Sequence, residues 1–125
     1  MPGFRVAILS LTLLGGCTSL PTPQQISTAD YGQYPENYEA IVKGFYNMAL
    51  KDPESARYGN ISTPYRTYLG SRIDETKYGW LTCASVNAKN SFGGYTGYST
   101  DALLIKNGAV IQHVPKGNWW GKQVC

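Results

Sequence analysis

The chain has 125 residues, with 11 Lys and Arg against 8 Asp and Glu and a net charge of +3 at neutral pH. That length supports a single domain with a modest core, and a charge this small and scattered, with no Lys/Arg run, argues against a nucleic-acid-binding surface. Ten Tyr, three Trp and 14 Gly suit a small sheet with tight turns and aromatic surface contacts.

Residues 1–16 contain one basic residue, Arg5, and no acid. The apolar run 6–14, about nine residues long, has the length of a signal-peptide core and falls well short of the ~20 residues of a membrane span. Gly15 and Gly16 then offer a small-residue cut site in front of a cysteine. Leu14-Gly15-Gly16-Cys17 resembles the lipobox of bacterial lipoproteins with a type II signal peptide. The resemblance implies cleavage before Cys17 and lipidation of its sulfur, with fatty acyl chains such as palmitate as the anchor and no other cofactor. Each buried methylene contributes ~0.8 kcal/mol, so several chains hold a protein firmly on a membrane. Thr18 follows the cysteine, and in that family the lack of Asp there implies the periplasmic face of the outer membrane.

With Cys17 assigned to lipid, Cys83 and Cys125 remain. In an oxidising envelope compartment the expectation is one disulfide between them, closing a loop of ~43 residues and tying down the C-terminal segment, for about 4 kcal/mol in the chain-entropy model. The alternative leaves Cys83 as a buried thiol or a nucleophile.

Residues 17–33 read as the lipidated Cys followed by a flexible tether, because Pro21, Pro23, Gln24, Gln25, Ser27 and Thr28 give it no apolar period. The domain proper is expected over 34–125. A helix over 34–51 starts at Tyr34-Pro35-Glu36, with Glu36 and Glu39 at its positive end. Its apolar stripe is Tyr38, Ile41, Val42, Phe45 and Ala49, a core face. Glu39 stands four residues before Lys43, and Gly44 suggests close approach to a sheet. Pro53 stops the helix, and Asp52-Pro53-Glu54-Ser55 suits one further turn.

From 56 to 69, Tyr, Thr and Ile interrupted by Pro64 predict one bulged strand or two short ones at a sheet edge. Residues 78–87 have apolar side chains in both alternating sets, which predicts a central strand covered on both faces. After a Gly-rich loop over 90–98, strand 101–106 and strand 109–114 flank Asn107-Gly108, a strong hairpin signal. In that register Ile105 faces Val110 and Leu104 faces Ile111. The fold class expected is α+β: one N-terminal helix packed on an antiparallel sheet of about four strands, in two layers.

The loop residues Asn90, Phe92, Gly93, Gly94, Tyr95, Thr96 and Tyr98 form a candidate binding loop. They lack the Lys-Ser/Thr ending and following helix of a phosphate-binding loop, and loops with Tyr supply contact area at low entropic cost. The bland alternative is a wide hairpin with packed aromatics. Trp119 and Trp120, with Tyr65, Tyr68 and Trp80, form a candidate sugar-stacking platform, against the alternative that one Trp plugs the sheet end. His113 is the single His, and a Cys83–His113 thiol site would be separated by strand 101–106 in a simple meander. The acids sit at helix ends and turns, and no metal-ligand spacing occurs. No catalytic or metal residues are therefore assigned.

The segments Lys51-Asp52-Pro53-Glu54-Ser55-Ala56-Arg57-Tyr58 and Val86-Asn87-Ala88-Lys89-Asn90-Ser91-Phe92-Gly93-Gly94-Tyr95-Thr96-Gly97 resemble paired signatures of a family of small, uncharacterised bacterial envelope proteins. That resemblance implies location and carries no activity. The functional expectation is a non-catalytic, lipid-anchored envelope protein that binds another envelope protein. The alternatives are a lipoprotein that binds peptidoglycan or another glycan through exposed aromatics, and a periplasmic inhibitor of a lysozyme-like enzyme.

Overall fold

The structure, a computed structural model, describes Gly3 and residues 20–125. Apart from Gly3, the segment 1–16 expected to be a signal peptide lies outside the described residues, as does Cys17. Eleven-residue β3 (Lys77–Asn87) is the centre of a five-stranded antiparallel sheet. On one side it pairs with β4 (Ser99–Lys106), which pairs with β5 (Ala109–Val114). On the other side it pairs with both β1 (Arg57–Ile61) and β2 (Tyr65–Leu69), laid end to end along one edge. The α+β class holds, with five strands in the main sheet.

The break between β1 and β2 comes where Pro64 cannot donate to a ladder. The ladder is patched there by Ser62, whose N–H donates to the Cys83 carbonyl and whose hydroxyl accepts from the Cys83 N–H at 2.8 Å. Helix α2 (Tyr38–Ala49) starts four residues later than the sequence suggests, after a turn through Pro35. It ends with the Leu50 N–H on the Tyr46 carbonyl, ahead of a single 3-10 turn, Pro53–Ser55.

Helix α2 lies on one face of the sheet. Val42 and Tyr46 pack there against Ala84, Val86, Leu103 and Ile105, with Tyr38, Ile41 and Phe45 around them. The other face holds a second cluster of Leu69, Leu81, Ala102, Leu104 and Val114, covered by Trp119 and Val124 of the C-terminal segment. The two-layer expectation thus gains a third cover. The tail runs through a 3-10 turn (Pro115–Gly117) into a two-residue hairpin of β6 (Asn118–Trp119) and β7 (Lys122–Gln123). The Cys83–Cys125 disulfide fastens its end to the middle of β3. No helix among the described residues is long and apolar enough to cross a membrane.

Four local expectations change. Part of the segment expected to be a tether is ordered: α1 (Pro23–Thr28) carries a capping box in which Thr22 and Gln25 satisfy each other's backbone donors. Beyond it, Tyr31 is 6% exposed, with its ring edge-on to Tyr78, and the Gly32 carbonyl accepts from the Trp80 indole. A residue inserted in β5 breaks the 104–111 pairing: Leu104 faces Gln112 while Ile105 faces Val110, so Ile111 is a bulge. Gly44 meets open space; the close approach is at Gly79, where an added Cβ would sit 2.6 Å from the Ile105 carbonyl oxygen. Lys43 lies over the Tyr58 ring at 5.4 Å, and forms no ion pair with Glu39.

Candidate functional site

Three polar or aromatic constellations stand out, one on each face and one at the sheet end. The first is buried beneath α2. Asp101, 8% exposed, accepts from the Tyr46 hydroxyl at 2.6 Å, from His113 Nε2 at 2.9 Å, from Ser99 Oγ at 3.2 Å and from the Lys116 N–H at 2.9 Å. Burial opposes its charge, but hydrogen bonds from His113, Tyr46 and the Lys116 backbone outweigh that, and its pKa falls to about 2. Burial, then the bond to Asp101 and its charge, push the Tyr46 phenol far above its ordinary value.

The bulge at Ile111 is what brings His113 here. Strand alternation puts Leu103 and Asp101 on the helix side, and His113 pairs with Leu103. Without the extra residue His113 would stand opposite Ala102 and point to the tail face. The imidazole instead packs 5.0 Å from the Phe45 ring and 5.9 Å from the Tyr46 ring. An Asp-oriented imidazole is a proton-handling geometry in general, but here both carboxylate oxygens are filled by donors from α2, β4, β5 and the tail. Cys83 is across β4, on the opposite face and in a disulfide. The geometry is that of a strut joining four elements.

The second constellation is the 90–98 loop. It is clamped to the 51–57 segment, so the two stretches that resemble paired signatures meet in space. Tyr95 donates from its hydroxyl to the Ser55 carbonyl, the Lys89 N–H donates to Ser55 Oγ, and Lys51 Nζ donates to Ser91 Oγ. Arg57 lies 4.3 Å and Lys89 5.7 Å from the Tyr95 ring centroid. Asn90 Oδ1 accepts from the Phe92 and Gly94 N–H groups, and Asn87 Oδ1 from Gly97. Gly93 and Gly97 supply positive φ. The clamp leaves Phe92 at the tip, 97% exposed. Tyr98 is also exposed, beside Gly59 on β1. Thr96 lines an open cleft of about 260 Å³ that runs from Lys89 and Asn90 to Tyr46 and Asp101.

The third constellation is the tail hairpin. Trp119 donates to the Gly70 carbonyl at 3.0 Å and packs on the second cluster. Trp120 stands out at 62% exposure, its indole donating to Asp74 Oδ2 and its ring nearly perpendicular to that of Trp119.

The expected aromatic platform is therefore split. Tyr65 pairs with Leu81 on the tail face, whereas Tyr68 pairs with Tyr78, and Trp80 packs edge-on against Tyr34 on the helix face. Within the expected loop, Tyr95 is an anchor and Phe92 the presented side chain. The sequence reading left out Asp101 and Tyr46. Tyr46, four residues after Val42, continues the helix stripe, and that spacing was the available signal. Asp101, an acid inside an apolar strand, had a burial signal but no local partner, since Tyr46 is 55 residues away. Comparison of the chain with protein-family models, with curated proteins and with solved structures gives no match.

Proposed function

We propose that this chain is a non-catalytic lipoprotein of the bacterial cell envelope, lipidated on Cys17, that binds another envelope protein through the clamped 90–98 loop. The observation that carries the reading is Phe92, a fully solvated aromatic at the tip of a loop fixed at both ends and in its middle. An apolar side chain held in water by a rigid frame gains free energy only when a partner covers it, and pre-organisation lowers the ordering cost of that step. The leader and its Leu14-Gly15-Gly16-Cys17 signature support the anchor and the outer-membrane location. The pairing of the other two cysteines supports an oxidising compartment and leaves Cys17 available for lipid.

A photo-crosslinking amino acid at Phe92, in cells producing the full chain, should give one discrete adduct with a protein. The same probe at Met48, equally exposed on α2, should give none. Monomer alone at both positions overturns the reading. Labelling with an alkyne palmitate should mark the protein and vanish in Cys17→Ala; label retained in that variant removes the anchor.

A further inference from the structure

We propose that the groove beside Trp120 is a saccharide site, separate from the 90–98 loop, that stacks the apolar face of a pyranose ring on the Trp120 indole. The first observation is backbone strain. Trp120 and Gly121 are the two central residues of the β6–β7 hairpin, with φ of +47° and +84°. A turn of this kind is best made by Asn-Gly or Asp-Gly, and a bulky side chain at positive φ is an outlier. The indole recovers little by packing, since it is 62% exposed and meets Trp119 edge-on at 6.2 Å. A costly conformation that holds a large aromatic out in solvent points to use rather than folding.

The second observation is the groove itself. It is open, about 420 Å³, and lined by Asp74, Lys77, Gln112 and Asn118 together with the two indoles. That volume is within the ~300–1,000 Å³ of small-molecule clefts. Gln112 is held at both ends of its amide, its Oε1 accepting from Lys77 and its Nε2 donating to the His113 carbonyl, while Asp74, Lys77 and Asn118 each keep capacity for a further bond. Asp74 Oδ2 accepts from the Trp120 indole, leaving Oδ1. Lys77 Nζ donates to Gln112 Oε1, leaving two N–H groups. Asn118 Oδ1 accepts from the Gly121 N–H, leaving its amide donors without a protein acceptor among the described residues. An aromatic face ringed by a carboxylate, an amide and an ammonium matches a sugar, whose C–H face is apolar and whose rim of hydroxyls both donates and accepts. The fixed indole lets the ring stack without an ordering cost.

The test titrates the full lipidated chain, in detergent, with the tetramer of N-acetylglucosamine and with cellotetraose while the three indole N–H signals are followed by NMR. The Trp120 signal should shift saturably and the Trp80 signal, on the opposite face, should not. Binding by the N-acetylated oligomer alone, with co-sedimentation on purified sacculi, assigns the site to cell-wall glycan; binding by both assigns it to pyranose chains in general. Trp120→Asn relieves the turn and should raise the melting temperature while weakening binding at least tenfold. Phe92→Ala should bind sugar as the wild type does, so loss of the protein partner and loss of sugar binding are separable. No saturable shift with either oligomer, or unchanged binding in the stabilised Trp120→Asn variant, overturns the proposal.

Discussion

The two faces of the sheet are covered in different ways. On one, a twelve-residue helix lays an apolar stripe across β3, β4 and β5. On the other, a tail with a single 3-10 turn and two strands of two residues each does the same job. The helix satisfies its own backbone and can be held by side-chain burial alone, at roughly 1.5–3 kcal/mol for each fully buried large side chain. The tail has little backbone pairing of its own. It is tied instead at discrete points: the disulfide, the Trp119 bond to Gly70, and the Lys116 N–H on Asp101. Asp101 serves both faces, since its other donors come from α2, β4 and β5. A segment with weak local preferences can therefore be as well placed as a helix, provided covalent and polar anchors replace propensity.

The largest effect should come from Asp101→Ala. It leaves the Tyr46 hydroxyl, His113 and the Lys116 N–H without their acceptor, and buried partners stripped in this way cost about 3–5 kcal/mol. Chemical denaturation should show that loss, with hydrogen-exchange protection falling on α2 and on the tail together. Cys83→Ala/Cys125→Ala separates the faces. It should cost about 2–4 kcal/mol, and exchange protection should fall in β2 and β6–β7 while α2 stays protected. Equal loss on both faces would show that the tail is not an independent cover.

Acid titration tests the shared carboxylate more finely. Asp101 titrates at about 2 against 3.8 for an ordinary Asp. Its folded-state pKa is depressed, so the stabilisation, ~2 kcal/mol, is complete above about pH 4 and is lost as pH falls through about 2. Stability measured from pH 5 to 2 should decline by that amount in the wild type and more shallowly in Asp101→Asn. The smallest effect is expected from Trp119→Phe, which keeps a smaller aromatic ring on the cluster and removes the bond to Gly70. About 1 kcal/mol should be lost, confined to the tail face in exchange experiments.

The elements that the sequence made legible are those governed by neighbours along the chain. The stripe at Ile41, Val42 and Phe45 specified α2 and its buried side. Asn107-Gly108 specified the β4–β5 turn, where both residues have positive φ. Pro64 marked the edge where β1 gives way to β2. Of the site features, the exposed loop and the adjacent tryptophans were legible as residues but not as geometry. Tyr95 and Phe92 looked equivalent in sequence, yet a hydroxyl bond to Ser55, 40 residues away, makes one an anchor and leaves the other in water. The capping box at Thr22 and Gln25 is present in the sequence but is masked by the surrounding prolines and polar residues, which suggest a tether.

By itself, then, the sequence determined the fold class, the position of the main helix, the hairpin at Asn107 and the pairing of Cys83 with Cys125. Periodicity, turn chemistry and cysteine arithmetic act over a few residues or by exclusion, and need no knowledge of packing. The tertiary structure decided which face each side chain serves. The single extra residue at Ile111 turns His113 to the helix side, and contacts spanning 40 to 55 residues assemble the Asp101 strut, clamp the Gly-rich loop and hang Trp120 over Asp74. Such contacts depend on register and on closure of long loops, and neither is encoded in any local stretch of the chain.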